Sequence, residues 1–354
     1  MSNVARPKIV ECRRMPTEIL KRLSDEGKIE LVSWGGKDGQ GQAPATREWV
    51  LENIEGAWGV IVMLSEKVDQ EFLEAAGPSL RVVSTMSVGY DHIDLDACKK
   101  RGVKVGNTPH VLDDAVAELT LTLALMATRQ IPSASRLVRE GRWAESPWSP
   151  LSFCGPSIKG KTIGFLGFGN ISQSLAHLLV PFKPSRIIYT TSKPKPFDIT
   201  SSDFAPLADG SFPTDRIVIS NQPEIGKLAE ESDVIFVLAS FNQHTKHIVD
   251  EAFLRRMKPT AYLVNSSRGP LVDTEALAKA ISQGWIAGAG LDVLENEPNI
   301  PASHPLLQAD CVDKVVILPH IGSATNETRF AMAELAARNI LGGVGLLEGM
   351  VYEV

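Results

Sequence analysis

Short apolar segments alternate with amphipathic ones along the first hundred residues. The apolar runs of strand length are residues 8–12, 60–64, 81–84 and 103–105. Helical patterns lie between them at residues 16–26 and 69–77. Strands that alternate with helices predict a parallel sheet with helices on its faces. This part of the chain therefore predicts one α/β unit.

A second and longer alternation begins at Lys161. The predicted strands are residues 161–167, 186–189, 234–238, 261–265, 288–291 and 315–318. The predicted helices between them are residues 171–179, 224–231, 250–257 and 273–283, and residues 327–341 predict one last, separate helix. This pattern predicts a second α/β unit with a larger parallel sheet.

Three segments do not follow this alternation. Residues 114–129 are apolar on almost every side, so they predict a buried helix, and such a helix suits the junction of two domains. Residues 142–156 contain two Trp and three Pro and cannot form one regular element. Residues 193–222 are rich in Pro, Ser, Thr and Asp, and they predict a surface insertion.

Charge and composition exclude several classes of protein. The 354 residues include 36 Lys and Arg against 42 Asp and Glu, a net charge of −6, so no overall attraction to nucleic acid or to an anionic membrane is expected. The four cysteines form no pair at metal-binding spacing, and no metal site is predicted. The first residues lack the apolar core of a signal peptide, and no apolar stretch could span a bilayer. The sequence predicts a cytoplasmic protein.

A glycine-rich turn follows the strand that begins the second unit. Gly167 and Gly169 allow a tight turn and a close approach of the backbone to a pyrophosphate. A helix beginning near Asn170 and Ile171 offers its N–H groups to the same phosphates. Ser172 occupies the third glycine position of the dinucleotide fingerprint, which requires only close helix–strand packing. The segment predicts dinucleotide binding.

The end of the next strand bears on the choice between NAD and NADP. An NAD site favours an acidic residue near Thr191, and none is present there. Ser192, Lys193 and Lys195 would instead attract a 2′-phosphate. The alternative is a solvated loop with incidental lysines.

Three further strands end at residues that suit a redox reaction of a 2-oxo acid. Arg268, Glu297 and His320 each follow a strand, and ligands in open α/β sheets bind at the carboxyl ends of the strands. A guanidinium can hold a carboxylate and polarise the neighbouring carbonyl. An imidazolium, favoured by an adjacent carboxylate, can protonate the alkoxide that hydride transfer creates.

The first unit offers a candidate anion site of its own. The segment from Ser84 to Asp94 follows a strand and turns at Gly89. The backbone N–H groups of Val88 and Gly89 could bind a carboxylate as a small nest. A turn without a ligand is the alternative.

Taken together, these motifs resemble the D-isomer-specific 2-hydroxyacid dehydrogenases. The matching motifs are Ser87-Val-Gly-Tyr-Asp-His-Ile-Asp94, Asn107-Thr-Pro109, Ala115-Val-Ala-Glu118, Gly167-Phe-Gly169, Asn265-Ser-Ser-Arg268-Gly, Gly290-Leu-Asp292-Val and Pro319-His320-Ile-Gly. Residues 85–89, 304–307 and 318–325 carry a closer likeness to the glyoxylate/hydroxypyruvate reductases. Ser172 and Ser192 depart from that pattern, because these reductases often carry a glycine and an arginine there.

The resemblance implies two Rossmann-like parallel-sheet domains with the active site in the cleft between them. Residues 1–109 with 325–354 would form the substrate (catalytic) domain, and residues 110–324 the NAD(P)-binding domain. It implies Arg268, Glu297 and His320 as catalytic residues, with Val88, Gly89 and Ser323 binding substrate. The predicted cofactor-binding residues are Gly167, Gly169, Asn170, Ile171, Thr191, Ser192, Lys193, Lys195, Ser267 and Asp292, the last near the nicotinamide amide. It also implies a homodimer in which Trp148 reaches the active site of the partner.

The expected function is reduction of glyoxylate and hydroxypyruvate to glycolate and D-glycerate, with NADPH preferred, NADH possible and His320 as the proton donor. Two alternatives remain. One is another D-2-hydroxyacid dehydrogenase, such as a D-lactate or broad 2-oxoacid enzyme. The other is a dinucleotide-sensing interaction protein like the corepressors of this family, which keep the same three catalytic residues.

Overall fold

The computed structural model describes residues 6–36, 43–208 and 212–354. By their internal contacts the residues form two units. Unit 1 comprises Met1–Leu112 and Ser323–Val354, and unit 2 comprises Asp113–Gly322. Residues 1–5, which bear on the expectation about a signal peptide, lie outside the described residues, as do residues 209–211 of the predicted insertion.

Twelve strands are present in the described residues. They are β1 Lys8–Glu11, β2 Glu30–Ser33, β3 Gly59–Val62, β4 Val82–Thr85, β5 Lys104–Gly106, β6 Thr162–Leu166, β7 Arg186–Thr190, β8 Val218–Asn221, β9 Val234–Val237, β10 Tyr262–Asn265, β11 Gly288–Leu291 and β12 Val315–Ile317. The predicted strands are confirmed within one or two residues at each end. Two strands, β2 and β8, were not predicted.

Eleven α-helices join these strands within the same described ranges. They are α1 Glu18–Asp25, α2 Arg47–Asn53, α3 Gln70–Ala76, α4 Leu95–Lys100, α5 Asp113–Thr128, α6 Ile131–Arg139, α7 Asn170–Leu179, α8 Ile225–Glu231, α9 Glu251–Arg256, α10 Thr274–Ser282 and α11 Asn326–Gly343. Side-chain oxygens of Asp69, Asp94, Asp250 and Asp273 cap four of them by accepting a backbone N–H of the first turn. α2, α4 and α6 are helices that the apolar pattern did not predict.

Unit 1 is built on a five-stranded parallel sheet in the order β2-β1-β3-β4-β5. Fully buried side chains such as Val60, Phe72 and Val83 fill one side of it. The last helix of the chain, α11, packs against β3 and β4. The predicted parallel sheet with covering helices is confirmed.

Unit 2 is built on a seven-stranded parallel sheet in the order β12-β11-β10-β9-β6-β7-β8. One apolar core lies on each face, with Ile235 and Leu263 in one and Phe165 and Val264 in the other. The chain order reverses direction between β6 and β9, which is the position where doubly wound sheets bind their ligands. α5 lies on this sheet, with Leu123 and Ala124 completely buried, as its apolar sequence predicts.

The prediction of a surface insertion at residues 193–222 is wrong in its main point. The segment adds β8 to the edge of the sheet, and its Phe204, Leu207 and Phe212 are buried. Phe204 contacts the rings of Phe168 and Tyr189, so the segment covers the apolar side of the sheet next to the glycine-rich turn. The apolar residues that do this are single ones spaced among polar ones, so no periodic pattern marked them.

The segment at residues 142–156 is irregular, as predicted. Its only helical piece in the described chain is a 3₁₀ turn at Trp143–Glu145. In the ranges that the structure describes, every helix is too short or too polar to cross a membrane.

Candidate active site

The glycine-rich turn has a geometry that excludes side chains at its first position. Gly167 follows β6 with a φ of +92°, and a Cβ there would lie 2.7 Å from the backbone N and Cα of Ala239. Gly169 precedes α7, has no side chain capping the helix, and has open space where its Cβ would be among the described residues. The open helix N-terminus can therefore receive a phosphate, as the sequence predicts.

Ser172 has a contact that a glycine could not make. Its hydroxyl donates to the carbonyl oxygen of Gly167 at 2.8 Å, and the residue is buried. The hydroxyl thus joins the first turn of α7 to the glycine turn. The departure from the three-glycine fingerprint is compatible with a dinucleotide site, because the position still packs closely and adds a hydrogen bond.

The loop after β7 is held by its own backbone. Thr191 Oγ1 donates to the carbonyl of Lys193 at 2.6 Å, and the hydroxyl of Tyr189 donates to the carbonyl of Lys195 at 2.5 Å. Ser192 and Lys193 are exposed, whereas Lys195 Nζ lies 3.2 Å from a carboxylate oxygen of Asp203. Of the two lysines predicted to meet a 2′-phosphate, Lys195 already has an anionic neighbour.

The turn that carries Arg268 is tied down by side chains on both sides. Asn265 Nδ2 donates to the carbonyl of Arg268 at 2.9 Å, while its Oδ1 accepts the N–H of Ser267. The hydroxyl of Ser267 donates to the carbonyl of Ala239 at 2.7 Å, the residue that also faces Gly167. Ser267, predicted to contact the cofactor, therefore links the arginine turn to the glycine turn through the loop after β9.

Glu297 and His320 are within hydrogen-bond distance of each other. Glu297 Oε1 lies 2.5 Å from His320 Nδ1, and Glu297 Oε2 accepts the N–H of Leu294 at 2.9 Å. Both side chains are about one-third exposed, at 32% and 29%. The remaining ring nitrogen of His320, Nε2, is thus the one placed to exchange a proton with a ligand.

His320 has a backbone conformation that is uncommon for a residue with a side chain. Its φ is +54°, in the left-handed region, and its N–H donates to the carbonyl of Asp292 at 2.8 Å. A left-handed histidine persists only where its surroundings enforce it, and such residues cluster at functional sites.

Asp292 supplies much of that enforcement. It is 1% exposed, and its two carboxylate oxygens accept the N–H groups of Ile321 and Gly322 at 2.8 and 2.7 Å. Burial raises the pKa of the Asp292 carboxyl, while these two N–H groups and the nearby His320 oppose the rise. Sequence reasoning placed Asp292 near the nicotinamide. In the structure both of its oxygens anchor the turn that carries His320.

A second histidine near the catalytic loops was missed in the sequence. His247 Nε2 lies 2.9 Å from Glu295 Oε1, and its Nδ1 lies 4.0 Å from Asp273 Oδ2. Its N–H donates to the carbonyl of Pro270, so it connects the loops after β9, β10 and β11. A positive φ of +51° at His247 is the local feature that marks it, and the sequence does not reveal that angle.

The strand order brings the predicted catalytic residues to one edge. Arg268, Glu297 and His320 follow β10, β11 and β12, which are adjacent in the sheet. The glycine turn follows β6, two strands from β10. A cation, a carboxylate and an imidazole thus follow strands of the same sheet edge as the uncapped N-terminus of α7.

In unit 1, the turn at Val88 and Gly89 has its carbonyl groups engaged. The carbonyl of Ser87 accepts the N–H of Thr108 at 2.9 Å, and that of Val88 accepts Asn107 Nδ2 at 2.9 Å. In a trans peptide the N–H points opposite to the C=O. The amides of Val88 and Gly89 therefore face away from these partners, the orientation that an anion nest requires.

Trp148 and Ser323 are the other two residues that the sequence predicts to bind substrate. Trp148 is 87% exposed within the irregular segment of unit 2. Ser323 is partly buried at the start of the second part of unit 1, where its carbonyl accepts the N–H of Thr325.

Comparison with known proteins gives a consistent result. Residues 121–322 match the family described as D-isomer specific 2-hydroxyacid dehydrogenase, NAD binding domain. The glyoxylate reductase of Thermofilum pendens is 42% identical over 96% of this chain and 91% of its own. The glyoxylate reductase/hydroxypyruvate reductase of Mus musculus is 41% identical over 93% of this chain and 92% of its own. The structure of an NADPH-dependent glyoxylate/hydroxypyruvate reductase from Sinorhizobium meliloti, in complex with NADP and malonate, matches with a TM-score of 0.76 and 31% identity, covering 99% of this chain and 97% of that one.

Proposed function

This chain belongs to the D-isomer-specific 2-hydroxyacid dehydrogenase family, and from that premise we propose that it reduces glyoxylate to glycolate and hydroxypyruvate to D-glycerate. The observation that carries the proposal is the Glu297–His320 pair at 2.5 Å, on the same sheet edge as Arg268. The identity to glyoxylate and hydroxypyruvate reductases over most of the chain supports this choice of substrate within the family.

Arg268 binds and polarises the substrate, and His320 donates the proton. The Arg268 guanidinium binds the substrate carboxylate and polarises the neighbouring carbonyl, because its planar donors match both oxygens. A dinucleotide held by Gly167 and the N-terminus of α7 would supply the hydride to the carbonyl carbon. His320 Nε2 gives its proton to the oxygen as negative charge develops there, and Glu297 stabilises the imidazolium before the transfer.

The turn at Val88 and Gly89 in unit 1 offers two backbone N–H donors of its own to a carboxylate. Their carbonyl groups are engaged elsewhere, so the N–H groups need no change of conformation to receive an anion. Ser323 completes the residues that we assign to the substrate.

The cofactor proposed is NADPH, with NADH as a weaker alternative. The residues fit a dinucleotide: Gly167 has no room for a side chain, and the N-terminus of α7 has no side-chain cap. Residues 191–195 contain no acid that would repel a 2′-phosphate, and Ser192 and Lys193 are exposed to receive one. Lys195 contributes less than Lys193, since Asp203 partly neutralises it.

We further propose that the protein is a cytoplasmic homodimer. Trp148 supports a dimer because an 87% exposed tryptophan is costly in water and is typical of protein interfaces. In the dimer Trp148 would be covered by the partner subunit.

The experiment is a substrate and cofactor panel on the purified protein. We expect NADPH oxidation with glyoxylate and hydroxypyruvate, slower reduction of pyruvate, and a kcat/KM for NADPH about tenfold above that for NADH. The matched negative is Arg268→Lys, which keeps the charge but loses the planar fork. It should lower kcat/KM for both acids by about 10²-fold and leave the Kd of NADPH unchanged.

Two results would contradict the proposal. Faster turnover of pyruvate than of glyoxylate would favour the broad 2-oxoacid or D-lactate alternative. Tight NADPH binding without turnover of any 2-oxo acid would favour the dinucleotide-sensing interaction protein.

A further inference from the structure

A series of side-chain hydrogen bonds connects the end of β4 to the loop from Ser87 to Asp94 in unit 1, and the mechanism does not use it. Ser87 Oγ donates to the carbonyl of Gly89 at 2.6 Å. Ser87 Oγ also lies 2.7 Å from Thr85 Oγ1, which in turn lies 3.0 Å from His92 Nε2. Thr85 and Ser87 are buried, so these contacts are protected from water.

The number of hydroxyl protons sets the direction of this series. Ser87 has one hydroxyl proton, and it is used on the Gly89 carbonyl, which can only accept. Ser87 must therefore accept from Thr85, whose single proton is then also used. Thr85 in turn must accept from His92, so His92 Nε2 carries a hydrogen. The series runs from His92 through Thr85 and Ser87 to the carbonyl of Gly89, and it has only this one consistent assignment.

The last hydrogen bond of this series, from Ser87 to Gly89, fixes a peptide group next to the amides that we assign to the substrate carboxylate. Because the Gly89–Tyr90 peptide is trans, holding the Gly89 carbonyl towards Ser87 turns the Tyr90 N–H to the opposite side. In the parts of the chain that the structure describes, the N–H groups of Val88, Gly89 and Tyr90 donate to no protein atom. Three consecutive amides are thus held with their donors free.

The backbone at His92, where the hydrogen-bond series begins, is held by hydrogen bonds of its own. Val68 N donates to the carbonyl of His92 at 3.0 Å, and Asp94 N donates to the carbonyl of Val68 at 2.9 Å. Residues 68 and 93 form an isolated parallel bridge. His92 is therefore a fixed point from which the hydrogen-bond series can orient the turn.

We propose that Ser87, Thr85 and His92 are positioning residues that set the affinity for the substrate carboxylate by fixing the Gly89–Tyr90 peptide, with the Tyr90 N–H as a third donor beside those of Val88 and Gly89. This rests on the proposed function, since it takes the turn as the carboxylate site. None of the three side chains touches the reacting atoms. Their effect is on binding, which the ground state and the transition state share.

The test compares Ser87→Ala with a matched control three residues earlier in the sequence. Ser84 is buried in β4, and its hydroxyl has no hydrogen-bond partner among the described residues. Ser84→Ala therefore removes the same group and leaves the hydrogen-bond series intact. We expect Ser87→Ala to raise the KM for glyoxylate and the Ki of oxalate about tenfold, the usual effect of one lost hydrogen bond. The kcat and the Kd of NADPH should change little, and Ser84→Ala should match the wild type in all four quantities.

A second pair of variants separates positioning from general stability. His92→Gln can place an amide N–H where Nε2–H lies, whereas His92→Phe fills the space without a donor. We expect His92→Gln to stay close to the wild-type KM and His92→Phe to raise it severalfold, at equal Tm.

Either of two results would overturn the proposal: the same KM for Ser87→Ala and Ser84→Ala, or the same KM for His92→Gln and His92→Phe. These differ from failure of the proposed function, in which the wild-type protein itself reduces no 2-oxo acid.

Discussion

Among the described residues, Asp292 in unit 2 and Glu11 in unit 1 are both buried carboxylates at the carboxyl end of a strand, and their surroundings differ. Asp292 follows β11 in unit 2 and accepts two backbone N–H groups from the turn that carries His320. Glu11 ends β1 in unit 1, is 3% exposed, and has the hydroxyl of Ser33 as its side-chain donor at 2.6 Å. The burial is similar, but the donors differ in kind: two backbone N–H groups of one turn bind Asp292, whereas the Ser33 hydroxyl and the Met15 backbone bind Glu11.

Burial is the main cause of the pKa shift of both carboxyl groups. Burial raises the pKa of the Glu11 carboxyl from 4.5 to about 7, and hydrogen bonds from Ser33 and the Met15 backbone and the charge of Arg14 offset only part of the rise. Burial also raises the pKa of Asp292, but two N–H groups and His320 favour its charged form. Asp292, bound by two N–H groups of the same turn, can act as an anchor for that turn, whereas Glu11 gains a proton near neutral pH.

The largest effect is expected from removing the anchor in unit 2. Asp292→Asn keeps the shape but replaces one acceptor oxygen by an NH₂ group, which would face the N–H of Ile321 or Gly322. The turn must shift to relieve this contact, and His320 shifts with it. We expect kcat/KM for glyoxylate to fall about 10²-fold, the cost of a misplacement of roughly 1 Å at a catalytic group.

The control for this variant is Asp233→Asn, also in unit 2. Asp233 accepts the N–H of Thr162 at 2.9 Å and pairs with Lys258, but it lies just before β9, at the opposite end of the strands. Asp233→Asn should lower Tm without lowering kcat. If both variants lose activity in proportion to their loss of Tm, Asp292 is an ordinary structural residue.

An intermediate effect is expected from Glu297→Gln, which tests whether a charge, rather than an anchor, matters at the neighbouring position. The amide cannot stabilise the imidazolium of His320 as the carboxylate does. Reduction of glyoxylate requires a proton from the ring, so the variant should reduce glyoxylate more slowly than the wild type. We expect a loss of roughly tenfold in kcat/KM, which corresponds to about 1.4 kcal/mol of lost transition-state stabilisation.

Steady-state kinetics of glyoxylate reduction measure this loss. His320→Gln serves as the reference, with most activity lost. A Glu297→Gln variant with the kcat/KM of the wild type would refute the electrostatic role of Glu297.

The smallest effect is expected in unit 1, and it concerns stability alone. Since the pKa of Glu11 is higher in the folded state, its stabilising contribution is fully present below pH 4.5 and is lost as the pH rises through 7. Glu11→Gln removes this loss. Relative to the wild type, the variant should gain at least about 1 kcal/mol in the free energy of unfolding between pH 5 and pH 8.

Urea unfolding at the two pH values gives this difference. Glu30→Gln, an exposed change on the neighbouring strand β2, should show no such gain. A constant difference between Glu11→Gln and the wild type at both pH values would show that Glu11 keeps one protonation state.

The sequence predicts the elements whose residues face a core on both sides. Strands such as β6 and β10 are buried along their whole length, and continuous apolar runs reveal them. The edge strands β2 and β8 are partly exposed and mix polar with apolar residues, so their pairing comes from neighbouring strands rather than from their own pattern.

Some residues of the candidate site could be predicted from the sequence, and others could not. Arg268, Glu297 and His320 could be proposed because each follows an apolar strand and has an obvious chemical use. The contacts of Asp292, Ser87 and His247 could not, because they depend on which backbone N–H or carbonyl a side chain reaches. That is decided by turns such as the left-handed one at His320, which periodicity does not encode.

The division of unit 1 into two stretches of sequence has a consequence for the order of events during synthesis. Ile340 and Gly343 of α11 pack directly on Gly59 and Val82 of the sheet, so its core needs residues from the last part of the chain. Unit 2 is continuous and has all of its strands once Gly322 has been made. A growing chain can therefore fold its second unit first. Until α11 is made, the more than one hundred residues of the first part of unit 1 leave apolar surface exposed to solvent. Truncation within α11 would leave that surface exposed and make chaperone binding and aggregation, rather than a loss of chemistry, the first visible defect.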